Sequence, residues 1–331
     1  MHFTPLTSLP HQLRQAAAAA ALIAMPMLAA AQDYPKRAIT LIVPYAAGGG
    51  TDNVARALAK GMSESLKQAV VVDNRGGGGG AIGSKLAAKS DPDGYTLLFV
   101  SSSFVTHAAT EAKPSYDVMK DYAPVAMIGR APLILVAHKS VAAKTVPQLI
   151  EAAKKRPEGL NFASSGPGTV LHLAGELFKL RTGANMTHVA YKGSGPATAD
   201  LLAGRTQIFF TTVPAMAQHV KTGAVDLLAV TGERRSHLFP EVPTVAESGV
   251  PNYNITTWWG VLAPAKTPLP VIEKLNKAIN ELAASEAMRA RLIGEGATPH
   301  SGTPAQFGTL LGTELSLWQE VAKASNLKGI N

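Results

Sequence analysis

Short apolar runs rich in β-branched residues alternate along the chain with stretches whose apolar residues recur every three or four positions. Short apolar runs predict buried strands. The wider spacing, as in Val54, Leu58 and Met62, predicts helices with one apolar face. The alternation predicts an α/β fold with largely parallel sheets. A last helix, Pro304–Ala324, is expected to be a packing helix. The predicted strands are Ile39–Val43, Ala69–Val72, Thr96–Val100, Leu133–Ala137, Leu160–Ala163, Gln207–Phe210 and Asp226–Val230.

Two further apolar stretches, Val125–Ala137 and Trp258–Ala263, look extended and lie between otherwise complete α/β blocks. We expect both to cross between two lobes, the chain leaving the first lobe near residue 130 and returning between residues 230 and 260. Three prolines in the return region favour an irregular, stiff connection there. The predicted domains are a discontinuous lobe 1 of residues 32–130 and 233–331, and a lobe 2 of residues 131–232.

The first residues have the pattern of a secretory signal peptide. Arg14 precedes an alanine-rich apolar run, Ala16 to Leu28, which is followed by Ala29-Ala30-Ala31-Gln32. A positive residue, a short apolar core and an A-x-A end are typical of such leaders, and the run is short for a bilayer span. A membrane anchor or a buried helix is the alternative. We expect residues 1–31 to be a signal peptide, cleaved after Ala31, and the mature protein to be periplasmic.

Composition restricts the function classes. The 331 residues are 46% hydrophobic, which suits about two globular domains with a real core. Without cysteine, the exported chain has neither disulfides nor a lipid attachment site. The net charge of +8 could steer anionic ligands or could serve solubility alone. The Lys and Arg residues are scattered without interleaved aromatic residues, so no nucleic-acid partner is expected.

Three glycine-containing loops lie where a predicted strand meets a predicted helix: 45–52, 74–83 and 164–169. In the first, glycine allows a tight turn, which is one physical explanation of Gly48-Gly49-Gly50. The other explanation is an anion site, because free N–H groups and the positive end of the helix dipole meet at a helix start. Either Thr51 or Asp52 could cap this helix.

Cofactor and enzyme motifs are weak. Gly78, Gly80 and Gly83 match the dinucleotide pattern G-x-G-x-x-G, but the ribose-binding acid expected about 20 residues later is missing. A close-packed turn is therefore the preferred interpretation of the second loop. There is no Walker loop, G-x-S-x-G elbow, H-E-x-x-H motif or cysteine nucleophile. The isolated histidines His107, His172 and His188 are interpreted as surface or core residues. We predict no enzymatic activity, no cofactor and no metal.

These residues resemble a known family, the Bug-type or TctC-like extracytoplasmic solute receptors of the tripartite tricarboxylate transporter system. The similarity covers nearly all of the chain from about Tyr34, and its specificity comes from the order of seven modest motifs. They are Tyr34-Pro35, Val43-Pro44-Tyr45 through Thr51-Asp52, Asn74-Arg75 with its glycines, Ser164 to Thr169 with His172-Leu173, Tyr191-Lys192-Gly193 with Pro196 and Asp200 to Gly204, Pro243 to Gly249, and Trp259 to Ala265.

The resemblance implies a type II periplasmic-binding-protein fold, with two lobes, a ligand cleft and two crossing segments, closing by hinge motion. It also implies a small carboxylate ligand, held by backbone amides and waters and delivered to a membrane transporter by a monomeric receptor. Asp52 is expected to cap its helix rather than touch an anion. The candidate ligand-binding residues are Tyr45, Ala47, Gly48, Gly49, Asp52, Ser101, Ser103, Ser164, Ser165, Gly166, Thr169, His172, Lys192, Gly193 and Thr211.

The sequence departs from the family pattern at two places. The usual Gly-Ala-Gly-Gly after Asn-Arg is an unbroken run of glycines here, and Lys266 replaces the glycine of Ala-Pro-Ala-Gly-Thr-Pro. Neither departure is expected to alter the ligand site. Two alternatives remain open: an exported enzyme on the same scaffold, and a sensor that signals to a membrane partner without transport. The identity of the carboxylate cannot be derived from the sequence.

Overall fold

The computed structural model describes residues 34–329, so the predicted signal peptide and its cleavage site lie outside the described residues. The strands are β1 Ile39–Val43, β2 Val70–Asn74, β3 Thr96–Ser101, β4 Tyr122–His138, β5 Leu160–Ser164, β6 Met186–Ala190, β7 Ile208–Thr212, β8 Val225–Val230, β9 Thr256–Pro264 and β10 Thr298–Pro299. The α-helices are α1 Gly50–Leu66, α2 Ala81–Ala88, α3 Ser103–Thr110, α4 Val146–Lys155, α5 Val170–Thr182, α6 Ser194–Leu202, α7 Val213–Lys221, α8 Leu269–Ala284, α9 Glu286–Gly294 and α10 Pro304–Ala324.

The strands form a continuous sheet in the order β2-β1-β3-β9-β4-β7-β5-β6, with β8 and β10 also pairing with β4. The outer groups, β2-β1-β3 and β7-β5-β6, contain the parallel pairs that the alternating pattern predicts. The central strands β9 and β4 run antiparallel to their neighbours. We call β1–β3, β9 and the start of β4 the first sheet region, and β5–β8 with the end of β4 the second.

Strand β4 belongs to both regions. Its first part pairs with β9 as far as Pro132 opposite Thr256, and from Leu133 onward it pairs with β7 and β8. The buried Thr231 hydroxyl joins the segments there, 2.8 Å from the Leu133 amide that donates to it and 2.7 Å from the Ile255 carbonyl that accepts from it. Both predicted stretches are extended, but only β4 takes part in both sheet regions, since β9 pairs with β3 and the first part of β4 alone. The crossing role of the second stretch and the lobe boundaries given above stay predictions.

The connection at 231–255 contains no regular helix or extended strand, as its prolines predict. Helix α10 has the predicted bounds and begins with a capping box, in which Thr303 and Gln306 each accept from the other's backbone. Its buried Phe307, Leu311 and Trp318 lie on the side that packs against other elements, including α3 and α5. Helix α3 follows a strand of the first sheet region and α5 follows a strand of the second, so α10 packs against both parts of the fold. Its predicted packing role is confirmed.

Within residues 34–329, no helix is both long enough and apolar enough to cross a membrane.

Candidate ligand-binding cleft

A cavity of about 180 Å³ lies between the two sheet regions. Five helices, α1, α3, α5, α6 and α7, bring their first residues to its wall, and the end of β3, one stretch of β9 and the residue after α9 complete it. Free N–H groups at helix starts carry partial positive charge, so this arrangement favours an anion. The lining residues are Gly50, Thr51, Ser101, Ser103, Ser165, Val170, Leu171, Ser194, Thr212, Pro214, Thr257, Trp259 and Glu295.

The first glycine loop leaves open space at the start of α1. The N-cap is Gly49, which makes no side-chain cap bond, so the prediction of Thr51 or Asp52 as N-cap is wrong. A β-carbon on Gly49 would meet only one atom, the Ala46 carbonyl oxygen at 3.7 Å, and one on Gly48 would meet nothing within 4 Å. Only Gly48, with φ +83°, needs glycine for its conformation. Close packing therefore does not explain Gly49.

Asp52 is buried behind this loop, in the first turn of α1. Its carboxylate accepts hydrogen bonds from the Gly48 amide at 2.8 Å, from Arg56 at 2.9 Å and from the Asn74 side chain at 2.9 Å. Burial pushes its pKa upward, but these bonds and the Arg56 charge outweigh burial and lower the pKa overall. Asp52 thus holds the loop by hydrogen bonds and is not one of the residues that line the cavity.

The second glycine loop is close-packed, as predicted. A β-carbon on Gly83 would lie 2.6 Å from the Arg75 carbonyl oxygen and 2.9 Å from Pro44, and one on Gly79 would overlap the His107 ring. Real β-carbons do not approach other atoms this closely, so these glycines are required by their neighbours. Packing against these neighbours therefore explains the glycines, as the close-packed turn predicts.

The third loop, from Ser164 to Thr169, is ordered by its own hydroxyl groups. The Ser164 hydroxyl lies 3.1 Å from the Gly166 amide nitrogen and 2.7 Å from His188 Nε2. The Thr169 hydroxyl donates to the Gly166 carbonyl at 2.8 Å and caps α5 by accepting from the His172 amide. Of the described residues in this loop, Ser165 alone lines the cavity, and the Ser164 and Thr169 hydroxyls make the contacts given above.

Two histidines support the third loop from behind. His172 and His188 are isolated in the sequence but neighbours in the fold, where their rings stack with centroids 3.7 Å apart. His172 is buried, in agreement with its interpretation as a core residue. Burial is the main cause that lowers the pKa of His172 to about 3 and that of His188 to about 4. His172 is therefore neutral near pH 7, and its Nδ1 accepts from the Gly168 amide at 3.2 Å. It positions the loop and has no place among the lining residues.

Of the remaining predicted residues, Ser101 and Ser103 are lining residues of the cavity, whereas the lining does not include Tyr45, Ala47, Lys192, Gly193 and Thr211. The Ser101 hydroxyl donates to the Tyr45 hydroxyl at 3.2 Å. Gly193 is the N-cap of α6, with φ +108°, and its amide donates to Ser165 at 3.2 Å. Thr211 is buried beside the lining residue Thr212. Lining residues absent from the prediction are Gly50, Thr51, Val170, Leu171, Ser194, Thr212, Pro214, Thr257, Trp259 and Glu295.

The electrostatic environment comes from helix ends rather than from basic side chains. Among the described residues that line the cavity, none is Lys or Arg, and the single ionisable group is Glu295. Burial raises the pKa of Glu295, while the neighbouring Arg291 charge opposes that shift. Among residues 34–329, no three His, Asp or Glu side chains are grouped as metal ligands. The cleft therefore offers backbone amides and hydroxyls for one part of a ligand and a carboxylate for another.

Comparison with known proteins identifies the family of the chain. A family model described as "Tripartite tricarboxylate transporter family receptor" matches residues 54–327. Protein BugT of Bordetella pertussis is 41% identical over 312 residues, which are 94% of this chain and 95% of BugT. The family resemblance inferred from the motifs is confirmed.

Solved structures share the fold. Rpa4515 of R. palustris, solved with adipate, is 36% identical with a TM-score of 0.80, and the match covers 89% of this chain and 99% of that one. The periplasmic binding protein BugD is 32% identical with a TM-score of 0.78, over 89% of this chain and all (100%) of BugD. The α/β, type II periplasmic-binding-protein fold is confirmed. This chain belongs to the family of receptors for tripartite tricarboxylate transporters.

Proposed function

We propose that this protein is a periplasmic receptor that captures a small carboxylate in the cleft and delivers it to a tripartite tricarboxylate transporter. One observation carries the proposal: the starts of five helices meet at one cavity. The described residues that line this cavity include no Lys or Arg. Partial charges at helix ends can hold a carboxylate through backbone amides, hydroxyls and ordered water. The adipate in the structure of Rpa4515 supports this ligand class.

The size of the cavity favours a small ligand. Its volume of about 180 Å³ is below the roughly 300–1,000 Å³ that is usual for pockets of drug-sized molecules. Its walls come from both sheet regions, so a ligand would contact both at once. We propose that the protein binds as a monomer and that lobes 32–130 with 233–331 and 131–232 close about β4 and β9, as in other hinge proteins.

Export is the cellular part of the proposal. Cleavage after Ala31 would release a mature chain that begins with Gln32. Sequencing of the N-terminus of protein purified from the periplasm checks this. A chain that keeps its first 31 residues, or that is recovered only from membranes, would contradict it.

A ligand screen tests the receptor function. Thermal unfolding is measured with mono-, di- and tricarboxylates, and a bound acid should raise Tm in a concentration-dependent way. A ligand that binds only the native state adds about 2.7 kcal/mol to the free energy of unfolding at 100 times its Kd. Isothermal calorimetry then gives Kd, and incubation of the acid with the protein followed by mass spectrometry checks that it is not converted. If no acid in a broad panel shifts Tm, the carboxylate-receptor function is refuted.

A further inference from the structure

Glu295 is a carboxylate in a cleft that is otherwise suited to an anion. Its side chain is 13% exposed, and its Oε1 accepts a hydrogen bond from Arg291 Nη2 at 2.7 Å. Its Oε2 faces the start of α1, since a β-carbon built on Gly50 would lie 3.6 Å from it. Among residues 34–329, no hydrogen-bond donor reaches Oε2. One half of the carboxylate is thus available to a ligand.

The backbone holds this carboxylate in place. Glu295 is the C-cap that follows α9, and its amide donates to the Leu292 carbonyl at 3.0 Å. The next residue, Gly296, has φ +72°, and a β-carbon there would lie 3.0 Å from Val213. The Gly296 amide also donates to the Ile293 carbonyl at 2.9 Å and the Ala297 amide to the Leu292 carbonyl at 2.8 Å, so the turn that carries the carboxylate is hydrogen-bonded along its backbone. Its position is a property of the fold.

A ligand that carries only carboxylates would meet a like charge here. Two anions within a few ångströms repel each other, and the partly exposed Arg291 already pairs with the other oxygen of Glu295. A ligand group that donates a hydrogen bond would instead give Oε2 a hydrogen-bond partner. An ammonium group does this best, because it adds charge attraction to the hydrogen bond.

We infer that Glu295 determines specificity, and that the ligand is an acid that also carries a hydrogen-bond donor, an ammonium group in preference to a hydroxyl. The inference rests on the proposed receptor function. The helix starts would hold the ligand's carboxylate, and Glu295 would accept from the donor. The ligand class is therefore an amino-acid-like zwitterion rather than a simple di- or tricarboxylate.

Matched acids test this inference by calorimetry on the mature protein. The probes are succinate, L-malate and L-aspartate, which differ only at one carbon, and the pair glutarate and L-glutamate. We expect the amino acid of a series to bind most tightly and the unsubstituted acid least. Glu295→Gln should weaken the amino acid roughly ten- to a hundredfold, the usual range for a charged hydrogen bond, and leave the unsubstituted acid unchanged or tighter.

The control variant is Glu273→Gln, which removes the same charge from an exposed position on α8 and should change none of the affinities. If Glu295→Gln fails to fold, the order of affinities in the unaltered protein decides alone. Unsubstituted acids that bind as tightly as the amino acids would overturn the inference and leave the receptor function standing. So would equal affinities of Glu295→Gln and the parent protein for the amino acids. If none of these five acids binds while an acid without a hydrogen-bond donor from the broad thermal-shift panel does, the inference is overturned and the receptor function stands. If no acid of that panel binds, both fall.

Discussion

Gly50→Val separates the two explanations of the first glycine run, a tight turn and an anion site. Gly50 is the first residue of α1, has no positive φ and lines the cavity, and the nearest atom to an added β-carbon is Glu295 Oε2 at 3.6 Å. The backbone therefore accepts a β-carbon at this position without strain. Because valine is a slightly better helix former than glycine, the free energy of unfolding should stay within about 0.5 kcal/mol of the parent value.

Binding should respond differently. The valine side chain would stand where a carboxylate approaches the α1 amides, and the loss of one hydrogen bond to a charged group is worth about 1.5–3 kcal/mol. The affinity for the acid with the largest thermal shift should therefore fall at least tenfold, since a factor of ten is about 1.4 kcal/mol. Urea unfolding measures stability and calorimetry measures affinity.

Gly83→Ala is the matched control from the close-packed loop. Its new β-carbon would lie 2.6 Å from the Arg75 carbonyl oxygen, so this variant should lose about 1–3 kcal/mol of stability by overpacking. The folded fraction of Gly83→Ala should bind the acid with the affinity of the parent protein. The anion-site explanation is refuted if Gly50→Val binds normally, and most clearly if it is also destabilised as Gly83→Ala is.

Three further predictions use the same measurements. Thr169→Ala should lose about 1 kcal/mol of stability in urea and keep its affinity, because its hydroxyl caps α5; a large affinity loss would place it in the site. The pKa values of His172 and His188, about 3 and 4, are below the usual 6.5. Between pH 6.5 and 4 the unfolded chain therefore binds more protons than the folded protein, so the free energy of unfolding should decrease as the pH is lowered from 6.5 to 4. His188→Gln should make this decrease smaller. Trp259 lines the cavity, so ligand should change tryptophan emission in the parent and in Trp318→Phe, but not in Trp259→Phe.

The fold was predictable where one short segment carries its own signal. Strand β1 lies in the predicted place because a continuous apolar run needs burial on both faces, as in the middle of a parallel sheet. Strand β6, Met186–Ala190, was missed because it is the last strand of the sheet and is half-exposed, so polar residues such as His188 interrupt its apolar pattern. Of the five helix starts at the cleft, those of α1 and α5 were predicted from the residues, because glycine, serine and threonine mark the loops before them.

Residues that reach the cleft from distant segments carried no such signal. Glu295 lies about 245 positions after Gly50 in the sequence, at the end of a helix with an ordinary polar composition. Its place at the site is visible only in the folded protein, where the turn at Gly296 lies against Val213 and the carboxylate lies at the start of α1. The same holds for Thr257 and Trp259, which enter the wall from the antiparallel strand β9.

The two glycine runs show why composition alone cannot settle the nature of a site. Both follow a strand and precede a helix, yet Gly79 and Gly83 are required by His107, Arg75 and Pro44, while Gly49 faces almost empty space. The difference lies entirely in what the rest of the chain places against them. A glycine that no neighbour requires is free to serve a ligand, and the negative Glu295 beside Gly50 then limits which acids can use that freedom.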